Sequence, residues 1–160
     1  MRSRFFAAML LAALPVLADP PPAFGQSLVI AQSVEQTHAV DSASVAQLPA
    51  VEQRVSFVTG HGTEQATYTG ALLWSLLEQA GGLGTDPRIR LGRSVAVTGR
   101  DGYVAVLALA EIDPEFEGKP VLLAYRRDGQ PMGGNELRLV VPGDHRGGRS
   151  VRDVVRIELR

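Results

Sequence analysis

The segment Arg138-Leu139-Val140-Val141-Pro142-Gly143-Asp144-His145-Arg146-Gly147-Gly148-Arg149 combines three arginines and a histidine with three glycines. Glycines let backbone N–H groups approach an anion, and a guanidinium can grip it with two donors at once. The chemistry this pattern supports is anion binding by Arg138, His145, Arg146 and Arg149. A solvated loop joining two strands has the same composition, because glycine and arginine are common in such loops. The surrounding charge is uneven. Residues 126–160 carry eight arginines against five acids, whereas residues 26–125 carry five arginines and one lysine against eleven acids. The formal net charge of −1 argues against a general nucleic-acid binder.

Other signatures are missing. There is no Gly-x-Ser-x-Gly elbow, Walker loop, His-Glu-x-x-His pair or dinucleotide fingerprint. His38, His61 and His145 lie in three separate polar contexts, so no metal site is expected from them. With no cysteine, neither a disulfide nor a thiolate metal site can form.

These groups need elements to hold them. Strands are predicted over 28–34, 51–57, 64–69, 95–97, 103–109, 121–125, 137–141 and 151–159. A short helix is predicted over 42–48, capped by Asp41 and stopped by Pro49. The clearest helix spans 71–80, where Leu72, Leu73, Leu76, Leu77 and Ala80 share a face and Gly81-Gly82 ends it. Trp74 flanks that stripe and is expected to pack at the helix edge. Arg100-Asp101-Gly102 forms a hairpin turn. The strand after it is apolar on both faces, which predicts a central position in its sheet. In the last strand, Val151, Val155, Ile157 and Leu159 are expected to face inward. Strands that arrive as hairpins imply an α+β fold with mixed, mostly antiparallel sheet, in one domain over 26–160.

Residues 1–25 are read as a secretory signal peptide. Arg2 and Arg4 precede an apolar run from Phe5 to Ala18, followed by Pro20-Pro21-Pro22-Ala23-Phe24-Gly25. Cleavage is expected after Gly25, with Ala18 as the alternative. The apolar run is shorter than the ~20 residues of a membrane span. Ser3 separates Arg2 from Arg4, so the leader is of Sec type and lacks a twin-arginine pair. The expected location is periplasmic or secreted, with no transmembrane span once the leader is removed.

Five short motifs occur in the order found in the sulfite-oxidase-like molybdopterin-binding domain family, and the chain resembles that family over roughly residues 50–160. They are Tyr68-Thr69-Gly70-Ala71-Leu72-Leu73-Trp74, Asp101-Gly102-Tyr103, Val121 to Met132, Leu137 to Gly143, and the closing strand. The resemblance implies that family's fold, and a cleft in which Asp101, Tyr103 and His61 lie near the arginines of the 142–149 loop. It also exposes departures. Catalytic members ligate molybdenum through a cysteine, where this chain has Ser56-Phe57-Val58-Thr59-Gly60-His61-Gly62. The family's His-Gly is replaced by Gly133-Gly134-Asn135-Glu136, and its pterin-holding Lys is absent, with Arg149 and Arg152 nearby.

The expectation is an exported, non-catalytic module with no ligated molybdenum, molybdopterin being possible through the resemblance alone. Its partner would be a small anionic ligand or an envelope protein. An active molybdopterin-dependent oxidoreductase with an atypical metal shell, and a structural partner in an envelope assembly, are the competing readings.

Overall fold

The alternating apolar segments become two sheets. The computed structural model describes residues 27–33, 36–133 and 136–160, and the expected signal peptide lies outside them. Strands are numbered in chain order. The first sheet runs β2 (Gln36–Asp41), β1 (Ser27–Ser33), β10 (Val154–Leu159), β5 (Ser94–Gly99), β6 (Val104–Ala108). The second runs β3 (Ala50–Thr59), β4 (Gly62–Leu72), β7 (Leu122–Arg127). β8 (Gln130–Pro131) and β9 (Arg138–Val140) both pair with β7. Among the named strands only β1 and β10 pair in parallel. The α+β, mostly antiparallel expectation is what the chain adopts.

Among the described residues, four short α-helices complete the fold: α1 (Ser42–Gln47), α2 (Leu73–Ala80), α3 (Pro87–Leu91) and α4 (Leu109–Ile112). The apolar stripe of α2 puts Leu73, Leu76 and Leu77 into the main core. There they meet Val95, Val97, Leu107 and Ile157 of the first sheet and Ala71, Leu123 and Leu139 of the second. Trp74 packs on the edge of that core, with the Arg90 guanidinium 5.9 Å from its ring centroid. β4 and β7 approach so closely at Gly70 that a Cβ there would overlap Leu123 O and the Ala124 backbone.

Three expectations are corrected. Ala71 and Leu72 belong to β4, so α2 begins two residues later than the periodicity suggested. The last strand starts at Val154, and its ladder with β5 shifts register between Val154 and Arg156. That bulge buries Val154 and leaves Val155 only half-buried, because an extra residue reverses the alternation. The largest correction concerns β6, which is an edge strand. Its inner residues Ala105 and Leu107 are buried, but Val104 and Val106 are 44% and 50% exposed. Two apolar faces here do not mean two covered faces.

Candidate functional site

Alternation along β9 sends Leu137 and Leu139 into the main core and turns Arg138 onto the opposite face of the second sheet. That face carries a smaller cluster with Phe57 and Tyr68. Arg138 is 5% exposed, and a guanidinium so buried needs partners. Its Nε donates to Ser150 Oγ at 2.9 Å, and its Nη1 donates to the Tyr68 hydroxyl at 2.7 Å and to Glu64 Oε1 at 3.2 Å. Tyr68 in turn donates to Glu64 Oε1 at 2.7 Å. The guanidinium carbon lies 5.3 Å and 5.8 Å from the Tyr68 and Phe57 ring centroids. Its Nη2 has no hydrogen-bond partner among the described residues.

Electrostatics follow from this packing. Burial alone would raise the Glu64 carboxyl, but the Tyr68 hydroxyl and the charges of Arg138 and Arg127 outweigh it and hold it below its ordinary value. Burial, with the hydrogen bond to Glu64, pushes the Tyr68 phenol up to about 12. Tyr68 therefore stays a neutral donor that fixes Arg138 to Glu64.

The glycine–arginine loop is tied down at several points. The Val58 N–H donates to the His145 carbonyl at 3.0 Å, and Val58 and Arg146 form a parallel bridge. Gly147 sits against Phe57, where a Cβ would come within 3.0 Å of the ring. Tyr103, at the start of the β6 hairpin arm, donates its hydroxyl to the Gly148 carbonyl at 2.6 Å. Arg149 grips both oxygens of Asp144, at 3.0 Å and 2.6 Å, and reaches Glu111 Oε2 at 2.9 Å. Burial tends to raise Glu111, but Arg149 and the Ala108 N–H lower it overall. The Arg149 guanidinium is held above its ordinary value, chiefly by its hydrogen bond to Asp144.

Between the end of β3 and this loop opens a cleft of about 440 Å³. Arg138, Arg146 and Arg152 line it, with Phe57, the Thr59–Gly60 turn and the Gly147-Gly148 backbone, and no carboxylate is among its described lining residues. Arg146 and Arg152 are exposed and form no ion pair with a described residue. A second cleft of about 390 Å³ shares Arg138 and Arg152 and adds Arg127, Met132 and Glu136. The two clefts thus meet at a pair of arginines.

Of the residues singled out by sequence, Arg138 and Arg146 come together in the cleft. Arg149 lies in the same loop, but its donors are taken by Asp144 and Glu111. His145 contributes its carbonyl to the Val58 N–H. His61 sits in the β3–β4 turn, its N–H donating to Thr59 Oγ1 at 3.1 Å. Asp101 accepts from the Tyr103 N–H at 3.0 Å and so shapes the hairpin turn, while Tyr103 holds the cleft loop from outside. Arg152 was placed near the family's pterin-holding Lys position but not in the anion pocket, because strand periodicity was counted through it. Asp153, at φ 46°, and the following bulge break that phase. Glu64 and Tyr68 lie four residues apart on β4, a spacing that signals one strand face but no particular chemistry.

Residues 26–160 match the family described as oxidoreductase molybdopterin binding domain. No curated protein sequence matches significantly. Among solved structures, the sulfane dehydrogenase SoxCD from Paracoccus pantotrophus is similar, with a TM-score of 0.67 and 19% identity. The similarity covers 85% of this chain and 38% of that one.

Proposed function

Because the chain belongs to the oxidoreductase molybdopterin binding domain family, we propose that it is a member whose cleft keeps the anion-holding half of that chemistry without the metal-ligating half. The observation that carries this reading is the set Arg138, Arg146 and Arg152 around a cleft with no described carboxylate. Three guanidiniums and the Gly147-Gly148 backbone suit a phosphate, a sulfate or the phosphate of a larger organic anion. Each charge-assisted hydrogen bond would contribute about 1.5–3 kcal/mol before the cost of immobilising the ligand.

The residues present do not fit a molybdenum centre. The chain has no cysteine to supply a soft thiolate. In the turn where the family's thiolate is expected, Thr59 Oγ1 is already engaged, donating to the Gly62 carbonyl at 2.9 Å and accepting from the His61 N–H. Among the described residues, no three His, Asp or Glu side chains gather as an alternative metal site. Family membership favours the second reading, a molybdopterin-dependent oxidoreductase with an atypical metal shell, and that reading needs a metal donor from elsewhere.

The Arg2–Gly25 segment supports export by a Sec-type leader to the periplasm or medium. An exported, non-catalytic anion-binding or accessory module is the function these features support best. Thermal-shift titration with phosphate, sulfate and pterin phosphates tests it. Wild type should be stabilised, and an Arg146→Ala/Arg152→Ala variant should lose most of that shift. Equal shifts in both proteins, or none in wild type, would overturn the reading. In that case a co-purifying envelope protein would support a structural partner instead.

A further inference from the structure

Arg138 and Arg152 lie in the wall common to both clefts, so one ligand can reach from the first into the second. The chemistry of its two ends follows from the charges that the chain leaves uncompensated. Arg138 and Arg127 are compensated: Glu64 lies 3.2 Å from the first and 3.4 Å from the second, and Asp128 lies 3.6 Å from Arg127. Three charged side chains of the lining form no ion pair and no side-chain hydrogen bond with a described residue. Arg146 belongs to the cleft beside the end of β3, Arg152 to the common wall, and Glu136 to the other cleft.

These three are spread along a short path. Glu136 precedes Arg138 by two residues, a separation of at most about 7 Å between their Cα atoms. Arg138 itself is 5% exposed, lines both clefts, and has its Nη2 without a partner among the described residues. Met132, packed on the Phe57–Tyr68 cluster, adds apolar surface to the cleft that holds Glu136.

Resting on the anion-binding reading of the cleft, we propose that the joined clefts bind a zwitterionic aminoalkyl phosphate. Its phosphate sits on Arg146, Arg152 and the Arg138 Nη2, its methylenes lie along Met132, and its ammonium meets Glu136. Two uncompensated cations beside one uncompensated carboxylate match a phosphomonoester dianion that carries one ammonium. Bare phosphate leaves Glu136 unmatched, and a ligand with a second anionic end sets like charges together. The phosphodiester of an aminolipid headgroup carries one negative charge fewer, so the free monoester is the better match.

Calorimetric titration of the full chain with phosphoethanolamine, ethyl phosphate and phosphoglycolate at neutral pH tests this. The three share a phosphomonoester and differ at the far end, which is cationic, neutral or anionic. Affinity should fall in that order, with phosphoethanolamine several-fold tighter than ethyl phosphate. In Glu136→Gln those two should bind equally, with ethyl phosphate as in wild type, and in Glu136→Lys the order should invert. Arg146→Ala/Arg152→Ala should weaken all three together. Equal affinity of wild type for the three esters, or an amine preference that survives in Glu136→Gln, would overturn the zwitterion while leaving the anion site standing. Binding of none of them would overturn the anion site and the zwitterion with it. Capture by phosphatidylethanolamine vesicles without binding of soluble phosphoethanolamine would put a lipid diester in the clefts and overturn the monoester.

Discussion

The Tyr103 hydroxyl donates a 2.6 Å hydrogen bond to the carbonyl of Gly148, although the two residues are 45 positions apart. It fastens a hairpin of the first sheet to the loop that walls the cleft against the second. Tyr103→Phe should cost only about 0.5–1.5 kcal/mol in urea unfolding, since the contact is partly solvated. It should also speed hydrogen exchange in residues 147–149 and weaken phosphate binding a few-fold. Unchanged exchange in that loop would show that the bond holds nothing.

Arg146 and Arg149 lie in one loop but hold different positions. Arg149→Ala removes bonds to Asp144 and Glu111 and should destabilise the protein by about 1–2 kcal/mol. Arg146→Ala should change stability by less than about 0.5 kcal/mol, as expected for an exposed side chain without an ion pair. It should nevertheless reduce the stabilisation by phosphate. Urea unfolding with and without phosphate separates the two effects.

Glu64 and Glu111 both have carboxyls held below the ordinary value of 4.5 in the folded protein. A carboxylate with a depressed folded pKa contributes stability above its unfolded pKa, and that contribution is lost as pH falls through the folded value. Stability from these two groups should be level near neutrality and fall progressively below about pH 4.5. In a series of urea unfolding curves from pH 7 to 3, Glu64→Gln/Glu111→Gln should show a lower plateau and a shallower acid decline. An acid slope identical to wild type would contradict the assignment.

Gly70 and Gly60 make a contrasting pair. At Gly70 a Cβ meets backbone atoms of Leu123 and Ala124, which cannot rotate away, while at Gly60 it meets nothing within 4 Å. Gly70→Ala should destabilise by at least about 2–3 kcal/mol or fail to fold, and Gly60→Ala should melt within a few degrees of wild type. Thermal unfolding of the two variants checks this.

Much of the fold could be read from sequence because it rests on local periodicity. Alternation in Val51–Phe57 and the leucine stripe of α2 each mark a single buried face. α3 was not predicted, since it has five residues and is held by the Asp86 cap and the buried pair of Arg90 with Asp113 at 2.6 Å. The edge position of β6 was hidden for the opposite reason. Exposed valines and covered valines look alike in a sequence, and only strand order separates them. In the site, Arg138 and Arg146 were legible as cations near glycines. That Arg149 spends its charge on Asp144 and Glu111, while Arg152 turns toward the cleft, depends on a bulge and a positive φ that periodicity does not contain.

The proposed function has the cleft binding an anion through arginines and ligating no molybdenum. Its most direct test is the molybdenum-to-protein ratio, by elemental mass spectrometry, of protein purified from its native host without denaturation. The absent thiolate predicts a ratio far below one, even when an organic or inorganic anion is retained. Molybdenum at close to one atom per chain would contradict the account.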